Sequence, residues 1–123
     1  MHKESSVTSL KTEDIILIVV GAITGALLRW LLNNDFLCNV FGSAFLGFIT
    51  GFKFGSSVQL LLVIGFCGSL TTFSGWMVTL LELIRNGFLL QAFTVMTSTL
   101  FYGCSALVMG LLIGKKIKQS FMP

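Results

Sequence analysis

The chain of 123 residues is dominated by apolar side chains: 54% of its residues are hydrophobic and only 11% are charged. A soluble domain carries about 25% charged residues, so these few charges do not cover a water-facing surface. The composition excludes an ordinary soluble enzyme and a disordered chain. The net charge of +3 does not indicate a nucleic-acid partner, because the lysines lie at the chain ends and in one short turn, without a basic stripe among stacking aromatics.

Charged residues divide the sequence into four long uncharged stretches, each close to the roughly 20 residues that a membrane-spanning helix needs. The predicted helices lie near residues 14–33, 36–53, 57–81 and 87–114. We expect a polar N-terminal tail over residues 1–12, a four-helix transmembrane domain over residues 13–115 and a basic C-terminal tail over residues 116–123. The sequence therefore predicts an all-α, multi-pass protein of the inner or plasma membrane, in contact with lipid.

Three of the predicted helices carry small residues at a spacing of four. These stripes are Gly21 and Gly25, then Ser43, Gly47 and Gly51, and finally Ala106, Gly110 and Gly114. In lipid, helices associate through close packing of small residues rather than through burial of apolar surface from water. Four short helices that are joined on several faces have little interior of their own, so a pore would need a second subunit. We expect a dimer.

The third stretch is unusual, because residues 65–75 read GFCGSLTTFSG. Glycine, serine and adjacent threonines are poor helix formers, which predicts a helix broken near its middle. A broken helix at membrane depth persists only where it is buried in protein or lines a cavity, and its ends offer carbonyls to cations and N–H groups to anions. This segment is the candidate functional site, with a glycine-kinked but continuous helix as the alternative.

The sequence offers no catalytic constellation. Its acidic residues are not paired inside an apolar stretch, and no histidine or lysine lies there to act as a base. Cys38, Cys67 and Cys104 lack the clustered spacing of metal ligands and read as small packing residues. Asn39 and Tyr102 lie inside predicted helices and need polar partners. These features favour transport or conduction over enzymatic activity.

The sequence resembles the Fluc (CrcB) family of fluoride channels. The motifs that carry the resemblance are GALLRW at residues 25–30, NVFGS at 39–43, GFCGSLTTFS at 65–74, RNG at 85–87 and the pattern over 102–114. The third motif is the most specific of these. The resemblance implies an antiparallel dimer of four-helix subunits, with two pores at the interface that export fluoride and lower its cytoplasmic concentration.

The resemblance also implies a role for individual residues. It implies a central structural sodium ion held by the backbone carbonyls of Gly68 and Thr71. The pore residues it implies are Asn39 near a pore mouth, Ser43, Phe73 at a phenylalanine constriction, Trp76 and Tyr102. Its structural residues are Arg29 at the end of the first helix, Gly65 and Gly75.

Three positions depart from the family pattern: Trp76 replaces a second phenylalanine, Ala106 a serine and Thr79 a glutamate. The larger tryptophan ring is expected to narrow the pore, since constrictions tolerate added bulk poorly. We therefore expect weak fluoride flux from this chain alone, with recovery by Trp76→Phe or by a partner subunit.

The distribution of positive charge bears on the partner. With the N-terminus inside, six lysines face the cytoplasm and two arginines face outward, a bias that favours one fixed orientation. The partner is therefore either a second copy, in a homodimer that tolerates the bias, or an oppositely oriented paralogue, in a heterodimer. A small four-helix multidrug or cation exporter is a second possible class, although it needs an embedded carboxylate. A non-conducting partner subunit of a heterodimeric channel is the third.

Overall fold

The computed structural model describes residues 10–122 and contains four helical spans. Each is long and apolar enough to cross a membrane: α1 (Thr12–Leu32), α2 (Asp35–Phe52), the third span (Ser56–Arg85) and α6 (Leu89–Phe121). The third span comprises α3 (Ser56–Gln59), a π-helical segment (Leu60–Cys67), α4 (Gly68–Leu70) and α5 (Phe73–Arg85). The prediction of an all-helical chain with four membrane spans is confirmed for the described residues.

Sharp turns join the spans, as their short connections predict. Asn33 and Lys53 have left-handed backbone conformations, with φ of 45° and 58°, and their N–H groups donate to the carbonyls of Arg29 and Ile49. The Asn34 side chain then caps α2 by accepting a hydrogen bond from the Leu37 amide at 3.0 Å. These caps reverse the chain within two or three residues, so successive spans run in opposite directions.

Two helices end several residues beyond the predicted positions, whereas the other boundaries agree within two residues. Helix α5 continues to Arg85 instead of ending at residue 81, and α6 continues to Phe121 instead of ending at residue 114. Most of the predicted C-terminal tail is therefore helical. The reason is that lysine is a good helix former, so Lys115 and Lys116 end the apolar run without ending the helix. With 33 residues, α6 is about 50 Å long and exceeds the roughly 30 Å hydrocarbon core.

Glycines let α2 and α6 approach until their backbones touch. A Cβ atom at Gly47 would overlap the carbonyl oxygen of Leu107, and one at Gly110 would overlap that of Ala44. A side chain at either position would push the helices apart. The small-residue stripes of α2 and α6 thus face each other.

A second pair forms in the same way between α1 and the third span. A Cβ atom at Gly21 would overlap the carbonyl oxygen of Leu61, and one at Gly65 would lie 2.7 Å from the carbonyl oxygen of Ile18. Large apolar side chains elsewhere stay exposed, among them Trp30 and Leu90. The fold therefore consists of two tightly packed helix pairs with wide apolar outer faces.

Candidate functional site

The helical backbone of the third span gives way to two extended residues. Thr71 has φ −76° and ψ 148°, and Thr72 has φ −140° and ψ 119°. Helix α5 begins immediately afterwards, with the Thr72 hydroxyl accepting a hydrogen bond from the Gly75 amide at 3.0 Å. A threonine at the N-cap satisfies one of the free amides at a helix start, so the local sequence explains why the helix resumes here.

Asn39 of α2 holds this extended segment in place. Its Oδ1 accepts a hydrogen bond from the Thr72 amide at 2.7 Å, and its Nδ2 donates to the Thr72 carbonyl at 3.1 Å. Both backbone groups of Thr72 are thus satisfied by one side chain. Because Thr72 is only 6% exposed, these groups would otherwise be buried without partners, which is costly. Asn39 therefore links α2 to the third span.

The same hydrogen bonds divert two amides from their helical acceptors. In a continuous helix the Thr72 amide would donate to the Gly68 carbonyl and the Gly75 amide to the Thr71 carbonyl. Here these amides donate to the Asn39 side chain and to the Thr72 hydroxyl. The carbonyls of Gly68 and Thr71 are the two that the sequence resemblance assigns to a sodium ion, and both lose the helical donor four residues ahead.

A cavity of about 340 Å³, here called the central groove, runs between α2, the third span and α6 and opens at the side of the chain. Its polar lining comes from Asn39, Ser43, Thr71, Thr72 and Thr99, and its aromatic lining from Phe73 and Trp76. Four of the predicted pore residues, Asn39, Ser43, Phe73 and Trp76, therefore lie along one surface. The Ser43 hydroxyl donates to the Asn39 carbonyl at 2.6 Å, so its proton is already engaged.

A second cavity of about 350 Å³, here called the turn cavity, lies beside the connection between α1 and α2. Asn33, Asn34 and Asp35 line it from the turn, and Thr79 lines it from α5. Trp76 and Thr99 line both cavities. The Trp76 Nε1 and Thr99 Oγ1 atoms are buried and have no hydrogen-bond partner among the described residues.

Tyr102 lines neither cavity, although it packs on Phe36, which lines the turn cavity. Its side chain is 53% exposed, and its ring packs edge-to-face on Phe36 with 5.9 Å between centroids. Ala106 lies on yet another face, in an apolar cavity between α2 and α6. The structure therefore does not bring Tyr102 together with the other predicted pore residues within one chain.

The predicted structural residues have identifiable surroundings. Arg29 lies in the last turn of α1, where a positive charge complements the helix dipole. A Cβ atom at Gly75 would lie 2.6 Å from Asp35 Oδ2, so this glycine makes room for the carboxylate. At Gly68 a Cβ atom would meet only the Val63 carbonyl oxygen, at 3.8 Å. Gly68 is thus not crowded by its own chain.

Sequence reasoning missed Thr72 and Thr99 as individual site residues. Thr72 carries a usable signal, since a threonine that precedes a helix is a strong N-cap candidate. Thr99 carries none, because Thr94 and Thr97 occupy the same helix in a similar local sequence.

Comparison with known proteins identifies the family. Residues 16–111 match the family model described as "CrcB-like protein, Camphor Resistance (CrcB)". The chain belongs to the CrcB family. This family comprises ion channels rather than enzymes. The four spans of this CrcB chain make it a multi-pass membrane protein.

Several relatives of this CrcB chain carry the name of a fluoride-specific ion channel. FluC 1 of Prochlorococcus marinus (strain SARG) is 46% identical over 123 residues, which cover 100% of this chain and 99% of the relative. FluC 2 of Prochlorococcus marinus (strain MIT 9313) is 47% identical over 107 residues, covering 87% and 86%. The FluC protein of Haemophilus influenzae (strain PittGG) is 35% identical over 125 residues, covering 87% and 97%. The resemblance inferred from the sequence motifs is confirmed.

Proposed function

We propose that this CrcB chain forms a fluoride-selective channel that exports fluoride across the inner membrane and lowers its cytoplasmic concentration. The observation that carries the proposal is the central groove, which combines neutral hydrogen-bond donors with aromatic rings. Fluoride is small and holds its water tightly, so a pathway must replace that water with donors. Aromatic ring edges are positive and also face an anion favourably. The groove supplies both kinds of contact.

Asn39 contributes to this pathway with one N–H only. A side-chain amide has two donor hydrogens, and one of them is used by the Thr72 carbonyl. The other remains for an anion in the central groove, which Asn39 lines. Asn39 therefore has two roles in the proposal: it fixes the extended residues and presents one donor.

The proposed pores lie at the interface of an antiparallel dimer. The central groove is open on one side of the chain, and Phe73 at its wall is 71% exposed. A second subunit that packs on this face would close the groove and turn it into a pore. Tyr102, which projects from α6 outside the groove, would then reach a pathway only through the assembled dimer. The partner is either a second copy or an oppositely oriented paralogue.

A structural sodium ion fits the same segment. The extended residues Thr71 and Thr72 support a broken third helix, and unwound carbonyls of this kind coordinate Na⁺ in other membrane proteins. The donors would be the carbonyl oxygens of Gly68 and Thr71, with the same pair from the second subunit. Gly68 is exposed on the surface of the chain, as a carbonyl shared between subunits requires. A bound cation supplies a fixed positive charge that offsets the cost of holding an anion in a region of low dielectric.

Purified protein in liposomes tests the proposed function. Vesicles loaded with potassium fluoride are given valinomycin, which carries potassium out and so compensates the charge that leaves with each anion. We expect fluoride efflux that is weak from this chain alone and faster with a co-expressed paralogue, and no comparable chloride efflux from matched vesicles. Absence of fluoride efflux, both alone and with a co-expressed paralogue, would contradict the proposal. Proton-driven uptake of a cationic dye would support the exporter class instead.

A further inference from the structure

Trp76 and Thr99 present two polar hydrogens that no described residue accepts. The Nε1 of Trp76 and the Oγ1 of Thr99 are both buried, and Thr99 is only 7% exposed. Both residues line the central groove and the turn cavity. The two unpaired atoms therefore belong to residues of the wall that the cavities share, and each atom is itself covered by the surrounding side chains.

Two other threonines of α6 satisfy their hydroxyls within the helix, unlike Thr99. The Thr94 hydroxyl donates to the Leu90 carbonyl at 2.9 Å, and the Thr97 hydroxyl donates to the Phe93 carbonyl at 2.8 Å. Such bonds to the preceding turn are the usual outlet for a helical threonine. The Thr99 hydroxyl makes no such bond, and the Val95 carbonyl one turn earlier accepts from the Ser98 hydroxyl instead, at 3.2 Å, so the Thr99 hydroxyl is left for another partner.

The chemistry of the two groups defines that partner. An indole N–H only donates, and a threonine hydroxyl donates or accepts, so a species that contacts both must accept hydrogen bonds. Neither cavity is lined by a lysine or arginine among the residues described, and Asp35 lines the turn cavity. An anion there would be held by neutral donors alone. Such a contact is weak enough to release the ion, as conduction requires.

We propose that Trp76 Nε1 and Thr99 Oγ1 together form a fluoride contact where the central groove meets the turn cavity. The inference rests on the proposed channel function and adds a contact at a position where this chain departs from the family pattern. It also changes the expectation for Trp76. The proposed contact predicts that Trp76→Phe lowers fluoride flux several-fold, because a donor is lost. A ring that only narrows the pore would instead predict that Trp76→Phe raises the flux.

The indole resonance of Trp76 reports the contact directly. The chain has two tryptophans, and Trp30 is 75% exposed on the outer face, so Trp30→Phe leaves Trp76 as the only indole. This protein, ¹⁵N-labelled in lipid nanodiscs, is titrated with sodium fluoride or sodium chloride at constant ionic strength. We expect fluoride, and not chloride, to shift the Nε1–H resonance in a saturable manner.

Two matched valine substitutions test the role of Thr99. Thr99→Val removes the unpaired hydroxyl and is expected to weaken the apparent fluoride affinity several-fold. Thr97→Val makes the same chemical change at a hydroxyl bonded to Phe93, and is expected to leave the titration unchanged. A Thr99→Val protein that titrates like its parent would overturn the paired contact.

The remaining outcomes separate this inference from the proposed function. An indole resonance that ignores fluoride, or responds equally to chloride, overturns the contact and assigns the two donors to bound water, even where liposomes show fluoride flux. A fluoride-specific shift in a protein without flux supports the contact and contradicts the channel. Increased flux in Trp76→Phe also overturns the contact.

Discussion

At the scale of single residues, the Asn39 side chain determines the geometry of the site. It replaces both helical hydrogen-bond partners of Thr72, at 2.7 and 3.1 Å, and so stabilises an extended conformation inside an apolar span. The sequence marked Asn39 as a polar group in need of a partner. It did not identify Thr72, because a contact between residues 33 positions apart depends on how α2 packs on the third span.

Asn39→Leu is expected to reduce both fluoride flux and stability. The substitution removes a donor from the groove and leaves the buried amide and carbonyl of Thr72 unpaired, at about 1–3 kcal/mol each. Thermal unfolding in detergent measures the stability, and liposome efflux measures the flux. Ser43→Ala is the control, since it loses a single hydrogen bond to the Asn39 carbonyl and should melt close to the wild type. A normal melting temperature in Asn39→Leu would show that the link to Thr72 is not structural.

At the scale of helices, the sequence predicted the four spans better than their internal geometry. Apolar length alone determines a span, whereas the π-helical segment at Leu60–Cys67 consists largely of leucine, valine and isoleucine residues that suit an α-helix equally well in lipid. The weak helix formers at residues 65–75 did indicate where the backbone changes. The Gly68 carbonyl loses its helical donor because the Thr72 amide bonds Asn39 of α2, and no local pattern encodes that contact.

The adjacent threonines Thr71 and Thr72 are expected to differ in their tolerance of valine. Thr71→Val removes one hydroxyl bond, to the Cys67 carbonyl at 2.9 Å, and should cost about 1 kcal/mol while keeping the proposed sodium-binding carbonyl. Thr72→Val removes the N-cap of α5, which costs about 0.5–2 kcal/mol, and frees the Gly75 amide to restore a continuous helix.

Sodium dependence of fluoride flux distinguishes these two variants. We expect Thr71→Val to keep the wild-type dependence on sodium concentration and Thr72→Val to require more sodium or to lose flux. Equal behaviour of the two variants would contradict a site that depends on backbone carbonyls and on the Thr72 cap.

At the scale of the whole molecule, the distribution of positive charge bears on which chain is the dimer partner. The alternating spans place Lys11, Lys53 and Lys115 at one end of the bundle and Arg29 and Arg85 at the other. Insertion favours the lysine-rich end on the cytoplasmic side. The proposed antiparallel dimer needs both orientations, so we expect a chain with this bias to assemble more readily with a paralogue of the opposite charge bias than with itself.

Topology reporters fused after Pro123 test this argument. One fusion carries a fluorescent protein that folds only in the cytoplasm, and the other carries a phosphatase that is active only outside. We expect strong fluorescence and weak phosphatase activity, which place the C-terminus mostly in the cytoplasm. Replacing Lys115, Lys116 and Lys118 by glutamine removes half of the six lysines and should move the scores toward an even split, because orientation follows the positive charges near the ends of the spans. Arginine at the same positions keeps the charge and serves as the control. An even split in the unmodified chain, with full fluoride flux from that chain alone, would establish the homodimer instead.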